Sequence, residues 1–133
     1  MAKAATAVNV TADLNKAFEQ ANELLDSFAD NGAGHNADPD QFTKSTVEHF
    51  TSLGENVMCI HNRQVLFSGD SRVKHRNIEV STSWVTTKGF SVYVAPKGVT
   101  WTVTNTGDGG YINWAFGGDF TRSGANNQVV TFH

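Results

Sequence analysis

The chain has few cysteines and prolines and no long apolar run, and each of these absences argues against a class of proteins. It contains one cysteine, Cys59, and two prolines among 133 residues. A lone cysteine forms no internal disulfide, so the fold does not depend on an oxidising compartment. No apolar run is long enough for a membrane-spanning helix or a signal peptide. We therefore expect a cytoplasmic protein with no transmembrane segment, and leave open a secreted mature form whose leader has been removed.

The chain also has no excess of positive charge. Its ten Lys and Arg residues are outnumbered by 13 Asp and Glu residues, which gives a formal net charge of −3. Non-specific nucleic-acid binding normally requires a clear basic excess, so no nucleic-acid partner is expected. Residues 1–54 hold three lysines and eight acidic residues, whereas residues 55–133 hold seven basic and five acidic residues. Two parts of opposite charge could attract each other within one chain or across a homodimer.

The remaining composition is that of a folded domain. The chain is 39% hydrophobic, and its nine Phe, three Trp and two Tyr residues provide a large aromatic core. A length of 133 residues is typical of one domain. We predict a single domain over residues 1–133, with a helical segment at 10–54 and an antiparallel β segment at 55–133.

Two helices are predicted in the helical segment. Apolar residues recur there at steps of three and four, which is the period of an amphipathic helix. They are Leu14, Ala17, Phe18, Ala21, Leu24, Leu25 and Phe28. Asn31-Gly32 would end this first helix, and Asp38-Pro39 would begin a second one that ends at Gly54. Threonine and valine weaken the second helix, so an extended segment is its alternative.

From Glu55 onward apolar and polar residues alternate. The alternation predicts about seven short strands separated by turns, with no helix between them. Such a pattern favours antiparallel pairing. We therefore predict an α+β fold, in which the N-terminal helix or helices pack on a C-terminal antiparallel β-sandwich or barrel-like sheet.

In size, acidity, aromatic content and number of Gly-turned strands, the chain resembles small β-sandwich proteins such as aegerolysins and actinoporin-like lectins. The long helical segment departs from the aegerolysin pattern. The resemblance implies binding of lipid head groups or sugars as an expectation. It is a likeness of fold class, and it transfers no site residues.

Alternation in the β segment also separates two sets of aromatic residues. Trp84, Trp101 and Trp114 share faces with Val and Ile and are predicted core residues. Tyr93 and Tyr111 fall on the opposite faces, so we predict them at the surface. Together with Asn113 and with Asp108 in a Gly-rich turn, they form the predicted ligand-binding site.

Two further groups of residues have side chains that suit ligand binding, one for an anion and one for a metal ion. Arg72, Lys74 and Arg76 alternate, so an extended chain would place three cations on one face as an anion patch. A solvated, charged edge strand is the plainer interpretation. Cys59 and His61 share one strand face and are weak candidates for a zinc or copper site. Their spacing matches no metal-binding motif, so no metal or other cofactor is predicted.

No pair of carboxylates, nucleophile motif or phosphate-binding loop is evident in the sequence. The sequence therefore favours a non-enzymatic binding or interaction protein that acts through a surface or an oligomeric interface. One alternative is a lectin-like module that binds a sugar or a lipid head group. A small metalloprotein or enzyme built on Cys59 and His61 is the other alternative. A protein partner and a homodimer are both compatible with the first interpretation.

Overall fold

The computed structural model describes residues 39–81, 87–110 and 113–133, together with Glu19. The three continuous stretches form one α-helix, eight β-strands and a short 3-10 helix at Ala125–Asn127. The helix and strands are α1 (Pro39–Ser52), β1 (Glu55–His61), β2 (Val65–Ser68), β3 (Lys74–Ser81), β4 (Thr87–Pro96), β5 (Trp101–Asn105), β6 (Trp114–Gly117), β7 (Phe120–Ser123) and β8 (Val129–Phe132).

Helix α1 confirms the second of the two predicted helices and excludes its extended alternative. It buries Phe42 and Phe50 one above the other, two turns apart. Its end is closed by Gly54, which has a φ of +80° and donates its N–H to the carbonyl of Thr51 at 3.0 Å. Within the described ranges, no helix is both long and apolar enough to span a membrane. The first predicted helix, between residues 11 and 31, lies outside the described residues.

The strands form two four-stranded sheets, and every pairing is antiparallel. Sheet A has the strand order β3-β4-β1-β6, and sheet B has the order β2-β5-β8-β7. The antiparallel arrangement and the α+β class are therefore as predicted. The predicted number, about seven strands, omitted β7. That strand has only four residues, a length at which alternation is a weak signal.

The described elements form three layers. Helix α1 packs on the outer face of sheet A, where it contacts β1 and β6. Between them lies a first core cluster of Phe42, Phe50, Val57, Cys59, Phe90, Val92 and Val94. A second core cluster lies between the sheets, and its largest members are Met58, Ile60, Tyr93, Trp101, Trp114 and Phe132. Trp101 and Trp114 are thus core residues as predicted, whereas Trp84 lies outside the described residues.

The central strand β1 is buried on both faces. Val57 and Cys59 point towards α1, while Met58 and Ile60 point towards sheet B. Alternate residues of a strand lie on opposite faces, so a strand in a middle layer is apolar throughout. This explains the unbroken apolar run from Val57 to Ile60.

The same layering makes the predicted surface position of Tyr93 wrong. The prediction assumed that one face of its strand would be in water. Both faces of β4 are covered, and Tyr93 is only 6% exposed, inside the core between the sheets. Its ring is stacked between those of Phe67 and His75, with centroid separations of 4.7 and 4.4 Å.

Candidate functional site

A cleft of about 730 Å³ lies beside β6 and β7. These strands are consecutive in the chain, and each is the edge strand of a different sheet. Its side walls are formed by β6, β7, the Gly-rich turn 105–110 and the turn 124–128. The side chains that line it include Asn105, Asp108, Trp114, Phe116, Phe120 and Arg122. A volume of several hundred Å³ with mixed aromatic and polar walls is typical of a small-molecule binding site.

Three aromatic rings form the floor of the cleft. Trp114 and Phe116 lie two residues apart on β6, so both face the space between the sheets. Their ring centroids are 4.7 Å apart, and Phe120 continues the row 5.0 Å beyond Phe116. The cleft is open at this side because β6 and β7 are sheet edges with no further strand beside them among the described residues, and of the three rings Phe120 is the most exposed, at 37%.

The turn between β6 and β7 fixes how these two strands meet. Gly118 has a φ of +108°, and a Cβ at this position would collide with the side chain of Asn56. Asn56 is fully buried, and its Oδ1 accepts the N–H of Asp119 at 2.7 Å. A glycine is therefore required at this turn, for its backbone conformation and for the space.

Arg122 lies across the aromatic floor. Its guanidinium carbon is 5.4 Å from the Trp114 ring centroid and 5.0 Å from that of Phe116. These distances are within the range of cation–π attraction. Its Nε and one terminal nitrogen both donate to the carbonyl oxygen of Asn127, at 3.1 and 2.9 Å. The guanidinium thus has protein contacts on its face and on one edge, with no carboxylate partner among the described residues.

The turn that supplies this carbonyl has an unusual backbone. Asn126 and Asn127 have φ values of 54° and 55°, the only positive values among the described residues other than glycines. Asparagine tolerates this region better than most residues, but two in succession are uncommon. Strained backbone of this kind is concentrated at functional sites. Here it occurs in the wall of the cleft, since Asn126 lines the cleft and Asn127 binds Arg122.

The Gly-rich turn on the opposite wall is held by amide side chains. Asn105 accepts the N–H of Gly107 at 2.9 Å and donates to the carbonyl of Asp108 at 3.1 Å. Gln64 also donates to that carbonyl at 2.9 Å. The backbone of Asp108 is therefore fixed, while its carboxylate forms no hydrogen bond or ion pair with another described residue. Asp108 lies in the cleft, which is compatible with its predicted ligand-binding role.

The other predicted ligand-binding residues are placed differently. Asn113 is buried, donates to the carbonyl of Gly109 at 3.2 Å and accepts from Lys88 at 2.7 Å. It therefore supports the Gly-rich turn from behind. Tyr93 is stacked in the core at the edge formed by β2 and β3, away from the cleft lining. Tyr111 lies outside the described residues.

The three predicted anion-patch residues do not form one row. Arg72 precedes β3 in a turn, where it makes a 2.7 Å ion pair with Asp70. The hydrogen bonds from Arg72 lower the pKa of that carboxyl from its usual value of 3.8 to about 2. Lys74 and Arg76 share a face of the edge strand β3. A solvated edge strand with charged side chains accounts for this arrangement.

Cys59 and His61 also remain apart from the cleft. Burial under α1 raises the pKa of the Cys59 thiol well above its usual range, which disfavours the thiolate that binds metals. Partial burial, followed by the nearby charges of Lys88 and Arg63, lowers the pKa of His61. No three His, Cys, Asp or Glu side chains come together as metal ligands anywhere in the described stretches.

Sequence reasoning missed most of the cleft. Trp114 was predicted as core, and its second role as cleft floor depends on β6 being an edge strand. Phe120 and Arg122 lie on the unpredicted strand β7, where their spacing of two places both on the cleft side. The glycines on either side of that strand are the one signal that could have indicated it.

The chain matches no protein-family model, no curated protein and no solved structure.

Proposed function

We propose that this protein is a non-enzymatic binding protein and that the cleft between β6 and β7 binds a small polar ligand of the saccharide class. One observation carries the proposal: one cleft is lined by aromatic rings, by the carboxylate of Asp108 and by the guanidinium of Arg122, and these two charged groups form no ion pair with each other. The proposal keeps the lectin-like function that the sequence offered as an alternative. Of the ligand-binding residues predicted from the sequence, it keeps Asp108 and adds other residues that line the cleft.

The chemistry of the lining fits a sugar better than a purely apolar ligand. A sugar ring has apolar C–H faces and a rim of hydroxyl groups, so it needs aromatic surface and hydrogen-bonding groups together. Phe120, which is 37% exposed, presents aromatic surface. Asp108, Asn126 and Gln128 present acceptors and amide donors around it.

The same lining favours binding over catalysis. Most glycoside hydrolases use two carboxylates that flank the scissile bond. Among the described residues that line the cleft, Asp108 alone carries a carboxylate, and none is His, Cys or Lys. The cleft therefore has groups that orient a ligand, without the pair of groups that this reaction requires.

The experiment that tests the proposal is a two-dimensional NMR titration of the labelled protein with saccharides. The probes are the methyl glycosides of glucose, galactose, mannose, N-acetylglucosamine and glucuronic acid. We expect saturable shifts confined to the turns 105–110 and 124–128 and to β6 and β7. Absence of shifts with every probe would reject the proposal, as would shifts located elsewhere. Vesicles with phosphatidylcholine or anionic head groups form a separate arm, and binding of vesicles alone would favour a lipid ligand instead.

Two matched variants test whether the saccharide binds in the cleft. Asp108→Asn keeps the shape of the side chain but removes the charge, and we expect it to weaken binding by about tenfold, as for the loss of a hydrogen bond to a charged group. Asp119→Asn makes the same change at an exposed carboxylate outside the cleft lining and should leave the affinity unchanged. Equal effects of the two substitutions would exclude Asp108 from the site.

A further inference from the structure

Arg122 is the one basic residue among the described residues that line the cleft. From its geometry we propose that the cleft selects saccharides with an acidic group, whose oxygens bind to the guanidinium of Arg122. This inference rests on the proposed function, because it names the class of saccharide that the same cleft binds.

The hydrogen bonds of Arg122 leave one edge of its guanidinium open. A guanidinium has five N–H donors in a planar fork. Two of them, on Nε and on one terminal nitrogen, are used by the carbonyl oxygen of Asn127. The edge between the two terminal nitrogens therefore keeps a donor on each. Such an edge matches the two oxygens of a carboxylate, a sulfate or a phosphate.

No carboxylate of a described residue neutralises the charge of Arg122. The ion pairs among the described residues join Arg72 to Asp70 and Lys97 to Asp119, so neither involves Arg122. Its protein partners are the neutral carbonyl of Asn127 and two aromatic rings. A ligand that supplies a negative charge would complete this site.

The contacts that hold Arg122 are formed without a ligand. The rings of Trp114 and Phe116 lie beneath the guanidinium, and the carbonyl of Asn127 fixes its orientation in the plane. A side chain that is already ordered loses less conformational entropy on binding. Asn126 and Asn127, which have the left-handed conformation, belong to the turn that supplies this carbonyl. The strained turn therefore helps to orient the guanidinium of Arg122.

The plainer alternative is that Arg122 only covers aromatic surface. Long basic side chains commonly lie along apolar surfaces with their charge in water. In that case the charge would be irrelevant to ligand choice. The two interpretations differ in whether affinity depends on an acidic group of the ligand, and this difference is measurable.

The experiment compares ligands that differ in one group. Calorimetry measures the affinity of the protein for methyl glucuronoside and for methyl glucoside, which lacks the carboxylate. We expect the acidic glycoside to bind at least about tenfold more tightly, and the difference to shrink at high salt. Glucose 6-sulfate and glucose 6-phosphate show whether the cleft prefers a carboxylate, a sulfate or a phosphate group on the sugar. Inorganic sulfate is included alone to separate recognition of a saccharide from binding of an ion.

Variants assign the preference to Arg122. Arg122→Gln should remove the preference for the acidic glycoside, and Arg122→Lys should retain only part of it, because an ammonium lacks the planar fork. The matched control is Arg72→Gln, at an exposed arginine outside the cleft lining, which should retain the full preference. Circular dichroism of each variant establishes that it is folded. If Arg122→Gln does not fold, the comparison of ligands and its salt dependence in the unmodified protein still test the proposal.

The outcomes separate this inference from the proposed function. Equal affinity for the acidic and neutral glycosides, with shifts at the cleft, would retain the saccharide site and overturn the role of Arg122. No binding of either glycoside would overturn this inference, and it would overturn the proposed function as well if the galactose, mannose and N-acetylglucosamine glycosides also cause no shifts. Competition by inorganic sulfate as strong as that of the acidic glycoside would show an ion site only. A preference for the acidic glycoside that persists in Arg122→Gln would also overturn the inference.

Discussion

The outer faces of the two sheets differ, although both belong to four-stranded antiparallel sheets. The part of the outer face of sheet A that lies under α1 consists mainly of Val57, Cys59, Phe90, Val92 and Val94, all of them buried, whereas Lys74 and Arg76 continue this face at the edge strand β3. The outer face of sheet B carries Leu66, Ser68, Thr102, Thr104, Thr121, Ser123, Val129 and Thr131. None of these eight residues is fully buried, and none is charged.

This difference shows that the side chains on the outer face of a sheet depend on whether a helix or water covers that face. A face under a helix needs side chains without polar atoms, because a buried hydroxyl needs a partner. A face in water tolerates threonine, which has a high β propensity and is solvated there. The hydroxyl groups of Thr102 and Thr131 also form a hydrogen bond with each other across two strands of sheet B, at 3.2 Å. The two sheets should therefore respond differently to similar substitutions.

The largest expected contrast comes from removal of a large side chain on each outer face. Phe90→Ala empties a position that is fully buried between α1 and sheet A. We expect it to lower the free energy of unfolding by about 3–5 kcal/mol. Leu66→Ala, at a residue that is 61% exposed on sheet B, should change it by about 0.5 kcal/mol or less. Urea unfolding followed by circular dichroism measures both values, and similar losses would contradict the layer assignment.

A finer contrast uses one isosteric substitution at two places. Val92→Thr introduces a hydroxyl into the covered face of sheet A, where Val92 is paired with Cys59 and Arg76. We expect a loss of about 1–3 kcal/mol, because the hydroxyl loses water. Val129→Thr makes the same change on the outer face of sheet B, where water solvates it.

The second substitution should change the free energy of unfolding by about 0.5 kcal/mol or less. Val129 is paired with Thr104 and Ser123, so a threonine there would join a face that already carries hydroxyls. The two variants have the same composition, and the difference between their urea midpoints isolates the effect of the covering layer. A larger loss for Val129→Thr than for Val92→Thr would reverse the comparison.

The layered fold also explains which predictions from the sequence succeeded. Helix α1 has a local signal, since Phe42 and Phe50 recur with the helical period and Gly54 ends the helix. Most of the strands also have a local signal in their alternation. What covers a strand is not local, and for this reason the position of Tyr93 was wrong. Alternation identifies the two faces of a strand but does not show that both are buried.

The cleft could be predicted only in part for the same reason. Asp108 was predicted because a Gly-rich turn is recognisable in the sequence, and it lies in the cleft. Arg122 was not predicted, because its contacts depend on how two short strands meet across the sheets and not on the period of one segment. It lies over Trp114 and Phe116 because β6 and β7 are edge strands of different sheets, and this depends on the strand order. Strand order depends on contacts between distant segments, which the period of a single segment does not contain.

The smallest expected effect concerns the turn that connects the two sheets between β2 and β3. Asp70 accepts hydrogen bonds there from both the backbone N–H and the guanidinium of Arg72, at 2.9 and 2.7 Å. These bonds lower the pKa of Asp70 to about 2. A carboxyl with a lowered pKa stabilises the fold above its ordinary value of 3.8, and this stabilisation is lost as the pH falls through about 2.

The connection is exposed, so we expect a clear change in titration and only a minor change in stability. In Arg72→Gln the pKa of Asp70 should rise towards 3.8 without reaching it, because the bond from the backbone N–H of residue 72 remains. NMR titration of the Asp70 carboxyl carbon between about pH 1 and pH 5 measures this shift. Lys97→Gln, at the exposed ion pair with Asp119, is the control and should leave the titration of Asp70 unchanged. An unchanged pKa in Arg72→Gln would mean that the guanidinium does not bind Asp70 in solution. A large loss of stability at neutral pH would instead give this turn a structural role in joining the sheets, beyond that of a solvated ion pair.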